Sequence, residues 1–331
     1  MGRYFSLSAA SLLLASGSAG AQSVASTQSV LEPAGSEAQQ IEMLFWVMLS
    51  GGAVIWLGVV GLLLHSALVN RRRLAEKSAS SIILWGGVVF PSVTLCALLA
   101  YALWLMPGLR PFAQASSAAL RIEVTGRQFW WEVVYHPPQG PPVTSANEIR
   151  LPVGERVELT LKSADVIHSF WIPPLGGKMD MIPGRTNRLS IMATKPGIFR
   201  GPCAEYCGTS HALMALSAVA MAPEAFRSWL AAQAIPAEGA GASGGALFLR
   251  HGCGSCHFVA GTDARGLIGP DLSHLGSRAT VGAGILPNTE DAVARFIARP
   301  DLIKPGSSMP AFDMLPPDDI RAIAAWLRDL R

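Results

Sequence analysis

Residues 203–214 combine three kinds of soft metal ligand at short spacing. The segment C-A-E-Y-C-G-T-S-H-A-L-M offers two thiols, then an imidazole four positions on, then a thioether three positions further. Sulfur together with imidazole favours copper or zinc. A Cys203–Cys207 disulfide is the alternative in an oxidising compartment, but it leaves His211 and Met214 without a role. A pair of metals needs a second imidazole, and His168 in D-V-I-H-S-F-W-I-P is the candidate, although a lone histidine is more often a packed one.

A second set of ligands lies near the C-terminus. Cys253-Gly-Ser-Cys256-His257 matches C-x-x-C-H, the pattern in which two thiols attach a haem and the next imidazole reaches its iron. A disulfide, a thioredoxin-like site and a zinc site are the alternatives, and the immediate His257 favours haem. A low-spin electron carrier needs a sixth iron ligand, and a methionine there raises the potential. Met309 and Met314 are the candidates.

Two apolar segments precede these motifs. Residues 43–69 and 82–106 contain no Asp, Glu, Lys or Arg, and each is long enough for a transmembrane helix. The loop 70–81 between them carries Arg71, Arg72, Arg73 and Lys77, and positive loops stay in the cytoplasm. The pattern therefore predicts a hairpin anchor with both ends outside the cytoplasm.

The N-terminus agrees with this orientation. Residues 1–21 read as a signal peptide, with Arg3 before an apolar run and a small-residue cleavage site at its end. Residues 22–42 are predicted to be a flexible lead. Only 15% of the residues are charged, against about 25% in soluble domains. The net charge of +3, without a basic stripe, argues against nucleic-acid binding.

Two further domains must hold the ligands. Apolar and polar residues alternate at 120–124, 157–161 and 189–191 with turn residues between, which predicts an all-β sandwich or barrel over residues 119–230. Residues 231–244 are rich in Ala and Gly and form a predicted linker. Residues 245–331 follow as a separate predicted domain, and a helix that repeats apolar residues on one face is predicted at its end.

These motifs resemble two known families. C-x-E-x-C-x3-H-x2-M and H-S-F-W-x-x-P, after a two-span hairpin, are similar to subunit II of the haem–copper cytochrome c oxidases, over about residues 40–225. Residues 245–331, with Met309 in P-G-S-S-M-P-A-F, resemble class I cytochrome c. The resemblance implies a multi-domain membrane protein: a transmembrane hairpin, an all-β cupredoxin-like Greek-key domain and an all-α cytochrome c domain.

The resemblance also implies the cofactors. Cys203 and Cys207 would bridge the two coppers of a CuA centre, His168 and Met214 would complete one copper, and His211 with the Glu205 carbonyl the other. The Glu205 side chain would reach a magnesium or manganese ion at the subunit I interface. Cys253 and Cys256 would hold one covalent haem c, with His257 and Met309 as its axial ligands.

The implied function is electron input to a proton-pumping terminal oxidase, an oxidoreductase and translocase. Electrons would pass from the haem to CuA and then to a haem of subunit I, where oxygen is reduced to water. The implied partners are subunit I, subunit III, membrane lipid and an upstream cytochrome complex or soluble cytochrome c. The implied location is the bacterial plasma membrane, with the N-terminus and both C-terminal domains on the periplasmic side.

Two other functions compete with this interpretation. One is a membrane-tethered CuA and haem c carrier that serves another respiratory reductase. The other is a copper-delivery module, in which a covalent haem would have no purpose. Co-purification of a many-span haem–copper subunit would separate these alternatives from the oxidase.

The chain departs from the oxidase family at two places. The family's aromatic motif reads Gly126-Arg-Gln-Phe129-Trp130-Trp131 here, so phenylalanine replaces the first tryptophan, which receives electrons from soluble cytochrome c in the family. Trp130 and Trp131 are candidates for an electron path, and core packing explains either one equally well. The start of the second span lacks the family's carboxylate, which puts proton uptake through this subunit in doubt.

Overall fold

The computed structural model describes residues 28–68, 75–106, 120–239 and 243–331. The predicted signal peptide and Arg71, Arg72 and Arg73 lie outside the described residues. Helix α1 spans Ser36–Leu68. Helix α2, Glu76–Ile82, continues through a π-helical stretch, Ile83–Val89, into α3, Phe90–Leu105.

Both long helices have the length and composition of membrane spans. No other described part of the chain buries the apolar segments of these two helices, so lipid would surround their exposed side chains. Together with the family matches reported below, they define a membrane-anchored protein.

The start of α1 differs from the expected flexible lead over residues 22–42. Residues 36–42 are helical, and the preceding backbone bonds to the β domain, with Ala34 N donating to Pro174 O over 2.7 Å. Glu37 is buried and accepts a hydrogen bond from Arg156 Nη1 at 2.6 Å. These contacts fix the anchor helix to the domain it carries. The second helix also begins earlier than expected, at Glu76 rather than at residue 82.

The β domain is a sandwich of two main sheets. Its strands are β1 Arg121–Arg127, β2 Trp130–His136, β3 Val143–Ala146, β4 Glu148–Pro152, β5 Arg156–Ser163, β6 His168–Phe170, β7 Met179–Met181, β8 Asn187–Met192, β9 Gly197–Pro202 and β10 Ala215–Met221. The sheets have the orders β3-β2-β1-β5-β8 and β4-β10-β9, and β6 pairs with β7 alone. Alternate residues of β1 and β5 are buried, as the sequence pattern predicted. The fold is cupredoxin-like, and α4, Pro223–Gln233, packs Phe226 against Tyr135.

The C-terminal domain is mainly helical. It consists of α5 Ser243–Arg250, α6 Glu290–Ala298, α7 Pro300–Ile303 and α8 Pro317–Asp329, with a short pair of strands, β11 Thr280–Val281 and β12 Leu286–Pro287. Helices α5 and α8 cross at Gly244, where a Cβ would lie 2.3 Å from Trp326 Cβ. Only glycine permits this approach. Ile320, Ile323 and Leu327 of α8 are buried on one face, as the sequence predicted.

The predicted linker 231–244 begins within α4, which ends at Gln233, and its residues 235–239 lie against the C-terminal domain. Ile235 O accepts a hydrogen bond from His274 Nε2 at 3.0 Å, and Gly239 O accepts one from Trp326 Nε1 at 3.0 Å. Ala237 is buried in the apolar core of that domain. The composition of this stretch predicted a linker, and residues 235–239 of it are held by the domain they lead into.

Candidate metal and haem sites

One strand connection presents most of the predicted copper ligands. Strand β9 ends just before Cys203, and Met214 immediately precedes β10, so residues 203–214 form the loop of an antiparallel pair. His211 starts a 3-10 turn within this loop. His168 opens β6, and Ser169 O accepts a hydrogen bond from Ala204 N at 3.0 Å, which holds β6 beside the loop.

The structure brings all six predicted copper donors together around the two thiols. The distances are 3.9 Å between the sulfurs, 3.9 Å from Cys203 Sγ to His168 Nδ1, 3.2 Å from Cys203 Sγ to Glu205 O, 3.7 Å from Cys207 Sγ to His211 Nδ1 and 3.8 Å from Cys207 Sγ to Met214 Sδ. All five cysteines are free thiols, so the disulfide alternative does not describe this loop. Buried thiols and imidazoles in one cluster are a donor set that suits copper.

Asp165 orients His168, a role that the sequence analysis missed. Its Oδ1 lies 2.7 Å from His168 Nε2, so the carboxylate fixes the ring with Nδ1 towards the thiols. Its Oδ2 accepts a hydrogen bond from Gln128 N at 2.7 Å, and Gln128 Nε2 donates to Cys207 O at 2.5 Å. An acid three residues before a ligand histidine was the available signal.

The electrostatics of the cluster favour a thiolate. The hydrogen bond from the Cys207 thiol lowers the pKa of Cys203 to about 3, although burial opposes the shift, and His168 lowers it further. Burial by itself would lower the pKa of His168, but the contacts with Cys203 and Asp165 raise it. The thiolate is the form of cysteine that binds metals. The donor set therefore fits the predicted copper pair.

The two candidate tryptophans differ in environment. Trp131 is buried, and its ring lies edge-on to His168 with the ring centres 6.0 Å apart. Trp130 is half-buried under the Arg127 guanidinium, 5.5 Å from its ring centre. Of these two tryptophans, Trp131 is thus the one that contacts a predicted copper ligand.

The C-x-x-C-H segment follows α5 as a tight turn. Cys253 O accepts a hydrogen bond from His257 N at 3.0 Å. His257 Nδ1 lies 2.8 Å from Pro270 O, so Nδ1 carries the proton and Nε2 stays available for a metal. Burial lowers the pKa of His257, which keeps the imidazole in its neutral, metal-binding form. These residues fit a haem attached at Cys253 and Cys256.

The two candidate methionines are separated by their burial. Met309 is half-buried and packs against the apolar core of the C-terminal domain, whereas Met314 is 73% exposed. A sixth ligand must lie at the inner face of the haem crevice, so the environment favours Met309. The assignment of Met309 as the sixth ligand stays a prediction.

Replacing Met309 with leucine is therefore expected to abolish the thioether-to-iron absorption band and to lower the haem potential, because a Met ligand raises it. Met314→Leu is the matched control and should leave both unchanged. Spectra of the oxidised chain and a redox titration measure the effect. Loss of the band in the Met314 variant alone would show that the wrong methionine was chosen.

The fold and the two candidate sites are those of a membrane-anchored protein with a cupredoxin-like domain and a cytochrome-like domain. Residues 142–221 match the family described as "Cytochrome C oxidase subunit II, periplasmic domain", and residues 241–331 match the family "Cytochrome c". One segment of the chain is therefore similar to the periplasmic domain of cytochrome c oxidase subunit II, and the following segment is similar to cytochrome c. The first family implies CuA copper and the second implies haem.

Curated relatives named cytochrome c oxidase subunit 2 support the assignment. The protein of Alkalihalophilus pseudofirmus is 36% identical over 225 residues, which cover 67% of this chain and 64% of the relative. That of Bacillus subtilis is 33% identical over 64% of this chain and 63% of the relative. The chain thus matches a little under two thirds of the length of each. A solved structure, the periplasmic domain of subunit II of cytochrome oxidase from Bradyrhizobium japonicum, is 32% identical with a TM-score of 0.34, over 36% of this chain and 96% of that one.

Proposed function

We propose that this chain is the electron-input subunit of a proton-pumping haem–copper terminal oxidase, and that electrons pass from its C-terminal domain to its copper domain and on to subunit I. The observation that carries the proposal is the cluster of six donors, five of them sulfur or imidazole nitrogen and one a backbone carbonyl, on one loop and one adjacent strand, beside a domain with a haem-attachment motif. When bound, the copper pair and the haem supply a one-electron relay.

The chain's own residues hold that relay in place. Cys203 and Cys207 each reach donors on both sides, which suits bridging ligands; His168 and Met214 would complete one copper, and His211 with the Glu205 carbonyl the other. The thiolates share charge between the two metals. A rigid strand scaffold keeps this ligand geometry similar in both oxidation states, which favours fast electron transfer.

Residues of the cytochrome domain would hold the haem of the relay. Cys253 and Cys256 would attach the porphyrin, His257 would bind the iron through Nε2, and Met309 would complete its coordination. Pro270 O holds the proton on Nδ1, which fixes the histidine tautomer.

The partners and location follow from the same proposal. Subunit I would receive the electron and reduce oxygen to water, with subunit III beside it. A cytochrome complex or soluble cytochrome c would supply electrons. Glu205 is half-buried within the loop 203–214, where its carboxylate could reach a magnesium or manganese ion shared with subunit I. Both C-terminal domains would face the periplasm, because the basic loop 70–81 would remain in the bacterial cytoplasm.

Metal analysis and mass spectrometry of the purified chain test this proposal. We expect two copper ions per chain and one covalent haem, and we expect a many-span haem–copper subunit to co-purify. The double variant Cys253→Ala/Cys256→Ala is the control, which should lose the haem mass and keep both coppers. A single copper, or no added haem mass in the native chain, would contradict the proposal, and so would co-purification with a different reductase.

A further inference from the structure

We propose that the cytochrome domain is permanently docked on the copper domain, and that Glu148 is a positioning residue that holds it there. This inference rests on the proposed function, because it describes how the two cofactors would be kept at a fixed separation. It differs from a swinging-tether arrangement, in which the linker would let the haem domain approach and leave the copper in each cycle.

The first contact is made by the edge strand β4. Glu148 is buried, and its Oε2 accepts a hydrogen bond from Ala279 N at 2.9 Å. Its Oε1 accepts one from Arg150 Nε at 2.9 Å, and Arg150 Nη2 donates to Ser277 O at 2.8 Å. Both charged groups of the copper domain thus bond to backbone of the cytochrome domain. Hydrogen bonds to charged groups are the stronger ones, and a buried carboxylate is costly to leave without them.

The second contact lies at the start of β10. Ala215 N donates to Ala283 O at 2.9 Å, a backbone hydrogen bond across the two domains. Gly284 has φ +78°, and a Cβ on it would lie 2.9 Å from Ala215 Cβ. The two backbones therefore approach closely at a position where a side chain would keep them apart.

The third contact joins the two ligand loops. Ser210, next to the predicted copper ligand His211, is fully buried and donates to Pro305 O at 2.6 Å. Pro305 belongs to the loop that leads to Met309. A Cβ at Gly306 would lie 3.4 Å from the ring of Phe129, so this loop also covers the phenylalanine that replaces the family's tryptophan. Lys304 Nζ donates to Gly282 O at 2.7 Å, which ties this loop to the one that carries Ala283.

These contacts indicate a stable interface. Buried charged groups, satisfied by backbone of the other domain, are unlike the small and wet interfaces of transient redox encounters. The linker further stabilises the docked arrangement. Residues 235–239 are bound to the cytochrome domain, and the short connection keeps the effective concentration of one domain near the other high. Electrons would cross the fixed Ser210–Pro305 contact without any domain motion.

Hydrogen exchange of the full chain in detergent tests the docking. Two variants each change one contact of the interface, and the amide exchange rate is measured at the other contact. Glu148→Ala is read at the Ala215 amide, and Gly284→Ala is read at the Ala279 amide. If the interface opens as one unit, either variant should speed exchange at the far reporter by about tenfold or more. Two matched controls should leave both amides unchanged: Glu155→Ala removes an exposed ion pair with Arg227, and Gly154→Ala has a similar positive φ with no neighbour within 4 Å.

The result that would overturn the inference is a native chain whose Ala215 and Ala279 amides exchange as fast as exposed amides, or interface variants that match their controls. If one of the two interface variants loses its copper spectrum, its exchange rates no longer report on docking alone. The other variant, made in the opposite domain, then tests the inference. As a second measurement, haem-to-copper electron transfer after a laser flash should not depend on solvent viscosity. A rate that falls in proportion to viscosity would indicate a moving domain. The exchange experiment needs no cofactor, so a chain that binds no copper or haem would contradict the proposed function while the docking is still measured.

Discussion

Replacing Cys207 with serine is expected to remove the spectrum of an electron shared between two coppers completely. Cys207 Sγ lies within 3.9 Å of Cys203 Sγ, His211 Nδ1 and Met214 Sδ, so it contacts three other donors of the cluster, as Cys203 Sγ does. A serine hydroxyl is a hard ligand and stays protonated at neutral pH, so it cannot replace a thiolate between two soft metal ions. Electron paramagnetic resonance and copper content of the purified chain measure the effect.

Cys96→Ser is the matched control for this variant. Cys96 lies in α3, is exposed and has no contact with the cluster, so its variant should keep both coppers and the native spectrum. Cys203→Ser should behave like Cys207→Ser, because both sulfurs would bridge. Retention of a shared-electron signal in either variant would show that the thiolates do not bridge the metals, and the ligand assignment would have to be replaced.

The copper site was largely predictable because its ligands are close in sequence. Five of the six donors lie within residues 203–214, and one strand connection is enough to cluster them. His168 is 35 positions from Cys203, and it was assigned through the family motif rather than through spacing. Asp165 was missed because its position three residues before His168 was the available signal, and that signal was not used. Period-two patterns located β1 and β5 correctly, since each has one face in the core.

The relation between domains was not predictable from local patterns. Glu148 alternates with apolar residues in a short strand, and this pattern indicates a solvent-facing carboxylate, yet its partner Ala279 is 131 positions away. The flexible lead and the linker were inferred from composition, which describes an isolated segment. In the folded chain, residues 36–42 are helical and residues 235–239 contact a neighbouring domain. Polar contacts at long separation determine these positions, and no window of the sequence contains both partners.

The largest functional effect is expected from removing the cytochrome domain. A chain that ends at Gln233, the last residue of α4, keeps all six copper donors and should keep the copper spectrum. Its oxidase turnover with soluble cytochrome c should nevertheless fall by at least about tenfold, because a docked haem acts at an effective concentration near millimolar whereas a soluble donor must bind from solution. Steady-state oxygen consumption of the assembled oxidase measures the loss, and small chemical donors should still reduce subunit I.

Two causes of that loss must be separated, because truncation also exposes Phe129, which Gly306 covers in the full chain. The full-length double variant Cys253→Ala/Cys256→Ala lacks the attached haem, and it too should lose turnover with soluble cytochrome c. If the truncated chain regains turnover when Phe129→Trp is added, the phenylalanine is the reason that a soluble donor cannot replace the docked one. Near-normal turnover of the truncated chain without that change would show that electrons reach the copper directly. The cytochrome domain would then be dispensable for electron input, and its docking would need another explanation.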